Sequence, residues 1–220
     1  MSQELWTKVE EYFGSMVGED EALKAAAKEG EEAGLPSIAV SPNEGKLLML
    51  MAQMIGARKI LEVGTLAGYS TIWLARGLRE GGRLITLEYE QKHADVAKKN
   101  LARAGLSGLV DVRIGDATKT MPELLKEGAG PFDLIFLDAN KDGYPAYFEW
   151  SLKLAGKGTV IVADNVVRDG GVIDAASKDA SIQGVRRFNE MVAAEKRVSA
   201  TAIQTVGGKG YDGFAVALVL

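Results

Sequence analysis

Between Lys59 and Asn165 the sequence repeats one pattern: a short apolar run, a glycine or acidic residue where it ends, then a helical segment. The runs are KILEVG (59–64), RLITLE (83–88), VDVRIGDA (110–117), FDLIFLDA (132–139) and GTVIVADN (158–165). They read as continuous rather than alternating, as strands buried on both faces should. Helical segments over Ser70–Leu78, Gln91–Ala104, Met121–Lys126 and Pro145–Leu154 separate them. Strand, helix and strand at this spacing imply right-handed crossovers and a parallel sheet with helices on both faces.

The two ends depart from the pattern. Residues 2–30 place Leu5, Val9, Tyr12, Phe13 and Met16 at helical spacing, followed by an alanine-rich segment from Leu23 to Lys28. Ser41 is placed to cap a helix from Pro42 to Ile55, which Gly56 ends. After a polar, glycine-bearing stretch (167–181) and a helix near 182–195 come SATAIQTV and GFAVALVL. Only residues 207–212 part these two runs, too few for a helical crossover, so they should pair antiparallel.

Composition narrows the function classes. A chain of 220 residues can bury one α/β core, and no linker divides it. A net charge of −4 leaves no electrostatic footprint for nucleic acid or an anionic membrane. The absence of cysteine excludes disulfides, thiolate metal sites and cysteine nucleophiles. The first twenty residues are acidic and amphipathic, unlike a signal peptide, and no apolar run reaches the roughly 18 residues of a membrane span. A soluble, cytoplasmic protein is expected.

In an open parallel sheet, ligands gather outside the C-terminal ends of the strands, so the residues at those ends carry the argument. The first run continues as Glu62-Val-Gly64-Thr65-Leu-Ala-Gly68-Tyr-Ser70. Its glycines allow a tight turn, and a helix start with the Ser70 hydroxyl suits a ligand carboxylate; the alternative is a strand-to-helix turn without a ligand. The second ends in Glu88, placed to accept ribose hydroxyls, although a lone glutamate there is more often a solvated charge. Tyr89 either packs on a base or lies half-buried. Gly115-Asp116-Ala117 forms an edge suited to an adenine amino group.

The fourth and fifth runs end in Asp138 and in Asp164-Asn165, on strands expected to be neighbours. Two carboxylates and an amide oxygen at one rim suit a hard cation such as Mg²⁺; oxygen ligands accept Mn²⁺ and Ca²⁺ as well. The alternative is a helix cap and a turn. Lys141, beside Asp138, is a candidate general base, although a loop lysine is usually just solvated. His93 reads as a surface or packing residue, and the aromatic residues Tyr144, Tyr147, Phe148 and Trp150 read mostly as core.

LEVGTLAGYS, the Glu88 strand end, GDA, FDLIFLDANK and VADNVV, with SPNEGKLL before them, together resemble the cation-dependent O-methyltransferases, the family of catechol O-methyltransferase and caffeoyl-CoA O-methyltransferase. The match spans nearly the whole chain and looks most like small bacterial members. The resemblance implies the class I methyltransferase fold, Rossmann-like, with seven strands, mostly parallel and antiparallel at the C-terminus. It implies one domain over 1–220, with N-terminal helices (1–56) covering the site or forming a dimer contact and a core from 57 to 220. S-adenosylmethionine would be lined by Val40, Glu62, Gly64, Thr65, Ser70, Glu88 and Ala117, with Asp138 shared between donor and metal. Asp138, Asp164 and Asn165 would bind the cation, and Lys141 would be catalytic. The substrate implied is a vicinal dihydroxy-aromatic, and the assembly a homodimer. Ala139 and VVRDGGV depart from the animal and plant patterns, so substrate preference does not carry over.

Two rivals remain. An NAD-dependent oxidoreductase lacks here its Gly-x-Gly-x-x-Gly and a Tyr-x-x-x-Lys pair. A non-catalytic S-adenosylmethionine-binding protein would need neither the oxygen-ligand set nor Lys141.

Overall fold

The computed structural model describes residues 2–220. Three helices, α1 (Gln3–Val17), α2 (Glu21–Glu32) and α3 (Pro42–Met54), precede the alternating region. That region runs β1 (Lys59–Val63), α4 (Tyr69–Gly77), β2 (Arg83–Glu88), α5 (Gln91–Arg103), β3 (Val110–Ile114), α6 (Ala117–Lys126), β4 (Phe132–Leu137), α7 (Tyr144–Leu154) and β5 (Ala155–Asp164). The chain finishes with α8 (Ala180–Ala194), β6 (Val198–Gly207) and β7 (Gly210–Val219). The strands form one seven-stranded sheet in the order β3-β2-β1-β4-β5-β7-β6. Among the described residues no helix is long and apolar enough to cross a membrane.

The chain divides into two compact units, Tyr12–Thr120 and Met121–Leu220 with the N-terminal residues up to Glu11. In the first, β1, β2 and β3 pair in parallel. Ile60, Leu61, Leu84 and Leu87 are buried between the helical layers, each worth ~1.5–3 kcal/mol. β3 departs from the doubly buried expectation: it is a sheet edge, and its residues are half-buried or exposed. Ser41 caps α3 as its sequence predicts, and Glu44 returns the bond to complete a capping box.

In the second unit β4 and β5 run parallel, with Leu137 opposite Ala163. The two terminal strands pair antiparallel as expected, but more tightly: they extend to Gly207 and Gly210, leaving a two-residue turn. β7 lies between β5 and β6 and runs against both. α6 begins at Ala117 rather than Met121. Asp116 accounts for the earlier start, because its Oδ1 accepts the Thr118 amide at 2.9 Å and so caps the turn ahead of Pro122.

Candidate functional site

Within Tyr12–Thr120 the candidate donor residues surround the turn between β1 and α4. Gly64 (φ +103°) and Gly68 (φ +82°) adopt conformations that favour glycine, and Leu66 joins them at φ +50°. Leu66 is held there because Glu88 Oε2 accepts its amide at 2.8 Å and that of Thr65 at 3.1 Å. The turn therefore hangs on the carboxylate that the sequence assigned to ribose. Glu88 Oε1 accepts the Glu90 amide at 2.9 Å and lies 3.3 Å from His93 Nδ1. His93 is thus a neighbour of the proposed ribose acceptor, a placement its sequence position alone did not reveal.

Glu62 is completely buried beneath the same turn. Its carboxylate accepts the hydroxyls of Ser70 at 2.7 Å and Thr86 at 2.7 Å, and also that of Thr71. Asn100, also fully buried, donates from α5 to the Ala67 carbonyl at 2.9 Å. Sequence reasoning missed Asn100, Thr71 and Thr86; the only signal they give is a polar residue among apolar neighbours, on a helix for Asn100 and Thr71 and on β2 for Thr86. Val40 and Ala117 are buried, whereas Tyr89 is 72% exposed, its ring offered to solvent rather than half-buried. Asp116 is held below its ordinary pKa chiefly by the Thr118 hydroxyl, then by the Thr118 amide.

Within the second unit the candidate chemistry sits at the ends of β4 and β5. The register puts Leu137 beside Ala163, so Asp138 and Asp164 leave adjacent parallel strands one residue later. The expectation that these two strands are neighbours in the sheet is met. The chain then makes one turn of 3₁₀ helix, Lys141–Gly143, which turns Lys141 back toward Asp138. Lys141 Nζ donates to Asp138 Oδ1 at 2.8 Å and to the Tyr144 hydroxyl at 2.8 Å. Only 8% of Lys141 is exposed, which sets aside the reading of a solvated loop lysine. Tyr144 is buried with its phenol held well above its usual pKa, first by burial and then by the charges of Asp138, Asp164 and Asp212.

Asn165 takes φ +55°, and Arg168 and Asp169 follow at +56° and +54°. Such conformations cost on the order of 1–3 kcal/mol each and persist only where the surroundings impose them. Asp212 at the start of β7 holds Arg168, its Oδ1 accepting the amides of Val167 and Arg168 at 3.0 Å each, while the Asn165 amide donates to Asp164 Oδ1 at 2.7 Å and that of Asp169 to the Tyr211 carbonyl at 3.1 Å. Further along, Arg186 of α8 donates to the Val172 carbonyl at 2.6 Å. The opening of the glycine-bearing stretch 167–181 is therefore pinned at both Asp212 and Arg186. Asp212 was missed, and nothing local in the sequence marks it.

The donor set at these strand ends, two carboxylates and an amide with no sulfur or imidazole, fits a hard divalent cation. Among the described residues there is no cluster of three or more histidine, cysteine, aspartate or glutamate side chains that could hold a metal ion.

An open sheet with a glycine turn after its first strand, an acidic end to its second and a reversed last strand defines the methyltransferase class of α/β enzymes. The model of the O-methyltransferase family matches residues 14–215, and the chain belongs to that family. It is 54% identical to the catechol O-methyltransferase of Niastella koreensis over all of both chains. It is 52% identical to the catechol O-methyltransferase of Mycobacterium tuberculosis, over 93% of this chain and 91% of the other. The O-methyltransferase from Bacillus cereus, solved in complex with SAH, superposes with a TM-score of 0.98 at 54% identity over the whole of each chain. The chain is an O-methyltransferase, and the two rival classes fall away.

Proposed function

We propose that this enzyme transfers the methyl group of S-adenosylmethionine to one oxygen of a vicinal dihydroxy-aromatic substrate, with a divalent cation required. The observation that carries the reading is the Lys141 amine, buried and 2.8 Å from the Asp138 carboxylate, on the strand paired with the one that ends in Asp164. A methyltransferase that only bound its donor would need no such group. The relatives named catechol O-methyltransferase, at 54% and 52% identity, support the substrate class.

On the donor side, Glu88 accepts the ribose hydroxyls while keeping the turn closed, and Tyr89 offers a face to the base. Asp116 and Ala117 edge the adenine; Val40, Gly64, Thr65 and Ser70 take the amino-acid end. Glu62 fixes the Ser70 hydroxyl from below. S-adenosylmethionine supplies an electrophilic methyl on sulfonium. On the acceptor side, Asp138, Asp164 and Asn165 would hold Mg²⁺, Mn²⁺ or Ca²⁺, which lowers the pKa of a chelating phenol. Lys141 removes the phenolic proton, and the resulting oxygen attacks the methyl carbon in line while the methyl–sulfur bond breaks and S-adenosylhomocysteine leaves; most of the acceleration comes from holding the reacting atoms at near-contact distance.

The chain acts as one methyltransferase domain in the cytoplasm. The exposed residues Leu5, Val9, Tyr12, Phe13 and Met16 of α1 offer an apolar stripe for a homodimer contact. The test is S-adenosylhomocysteine release with Mg²⁺ from caffeic acid, which carries adjacent hydroxyls, and from p-coumaric acid, which carries one. The reading predicts turnover of the diol alone, abolished by EDTA. Equal turnover of the monophenol, or turnover in EDTA, would overturn it.

A further inference from the structure

The aromatic residue that sequence reasoning placed in the core has its oxygen in the middle of this network. The Tyr144 hydroxyl lies 2.8 Å from Lys141 Nζ, 2.8 Å from the Leu137 carbonyl and 2.8 Å from the Asp164 carbonyl. Counting hydrogens decides who donates to whom. A phenol has one hydrogen, and a carbonyl oxygen can only accept. The Tyr144 hydrogen is therefore shared between the two carbonyls, and the phenol presents only lone pairs to Lys141. The amine must be the donor on that side, and it donates to Asp138 Oδ1 as well. With two N–H bonds directed by two fixed acceptors, the remaining tetrahedral position on Nζ has one direction available to it.

The two carbonyls matter as much as the amine. Leu137 immediately precedes Asp138, and Asp164 carries the other carboxylate, so one oxygen is bonded at the ends of both strands. The ring cannot easily follow a displaced hydroxyl. It is fully buried, with the Phe188 ring edge-on at 5.5 Å. α8 closes against the turn that carries the lysine: a Cβ on Gly184 would fall 2.3 Å from the Lys141 carbonyl oxygen.

We propose that Tyr144 is a positioning residue for methyl transfer: its hydroxyl aims the Lys141 amine and sets the spacing of the strand ends bearing Asp138 and Asp164. This rests on the reading of Lys141 as the base and of the two aspartates as cation ligands. The alternative is a core tyrosine whose hydroxyl satisfies two carbonyls and does nothing for the reaction.

Tyr144→Phe keeps the ring and removes only the oxygen. In the folded variant, turnover at saturating donor and diol should fall about tenfold, the scale of one oriented hydrogen bond. Donor affinity by calorimetry should be unchanged. Mn²⁺ affinity, read by electron paramagnetic resonance without substrate, should weaken several-fold. In a Lys141→Ala background the same substitution should cost clearly less turnover than in wild type, because only the spacing of the strand ends is then left for the oxygen to set. Wild-type turnover and Mn²⁺ affinity in Tyr144→Phe, beside an impaired Lys141→Ala, would overturn the proposal alone. An unimpaired Lys141→Ala would instead overturn the reading beneath it. Should Tyr144→Phe fail to fold, ring-labelled tyrosine NMR of the unsubstituted protein keeps the test open. A slowly exchanging Tyr144 hydroxyl hydrogen is expected, and free exchange would contradict the clamp.

Discussion

The proposed donor cradle in Tyr12–Thr120 and the proposed carboxylate rim in the second unit are built from different materials. The cradle is mostly backbone. Its shape comes from Gly64 and Gly68, and from Thr65 and Leu66 amides drawn onto one carboxylate. The rim is mostly side chain: Asp138, Lys141 and Tyr144 bond to one another, and Asp164 enters through its carbonyl. At the rim the unusual backbone of Asn165 and Arg168 is held by side chains, the Asp164 carboxylate taking the Asn165 amide and Asp212 those of Val167 and Arg168. A backbone-built site recognises a ligand through a fixed shape and loses affinity in steps when one contact is removed. A side-chain network performs chemistry and should fail nearly outright when a member is lost.

That contrast can be broken by substitution, beginning with the rim. Asp164→Ala should abolish diol methylation together with any response to added cation, while donor binding by calorimetry persists; a fully active variant would mean that the rim holds no cation. Lys141→Ala should lower turnover by roughly 100-fold or more, the usual scale of general-base catalysis. Its donor affinity should match that of wild type, and unchanged turnover near neutral pH would remove the lysine from the reaction.

The cradle should respond in the opposite sense. Glu88→Ala removes a charged acceptor of ~1.5–3 kcal/mol per bond, so donor affinity should weaken roughly 10–100-fold. Turnover at saturating donor should stay within about twofold. A loss confined to turnover would show that the cradle also takes part in the chemistry.

The smallest effect expected lies away from both regions. Asp20 caps α2 and pairs with Arg76 at 2.6 Å, and that bond is the largest cause holding its carboxyl below the ordinary value. A depressed folded pKa contributes stability above the unfolded carboxylate value, and that stability is lost as pH falls through the folded one. The pair is solvent-exposed, so Asp20→Asn should cost only a few tenths of a kcal/mol at pH 7. The difference in melting should vanish in strong acid; a gap that persists there would mean that the capping geometry, not the charge, supplies it.

The same division explains what the sequence made legible. Strand ends and glycine turns are local features, so Gly64, Glu88, Asp138, Asp164 and Lys141 could be picked out from spacing and residue type. The reversed terminal pair could be read from a connection too short for a crossover. Glu62 was assigned to the donor by resemblance, yet only the fold shows that Ser70, Thr71 and Thr86 wrap it. Asp212 lies more than forty residues from the amides it holds, and Asn100 reaches Ala67 from a different helix. Neither contact exists until the tertiary fold forms. Tyr144 is the instructive miss. It stands three residues after Lys141, the reach of a 3₁₀ turn, but a tyrosine opening a mostly apolar helix gives no reason to prefer a polar role over packing.

On the proposed function, donor recognition and acceptor chemistry are separable, and only the second needs a cation. The direct measurement is donor affinity by calorimetry and diol turnover on one preparation, with Mg²⁺ and with EDTA. Donor affinity should hold within about twofold while turnover falls at least ~100-fold in EDTA. Turnover that survives EDTA, or donor affinity that collapses along with it, would contradict that reading.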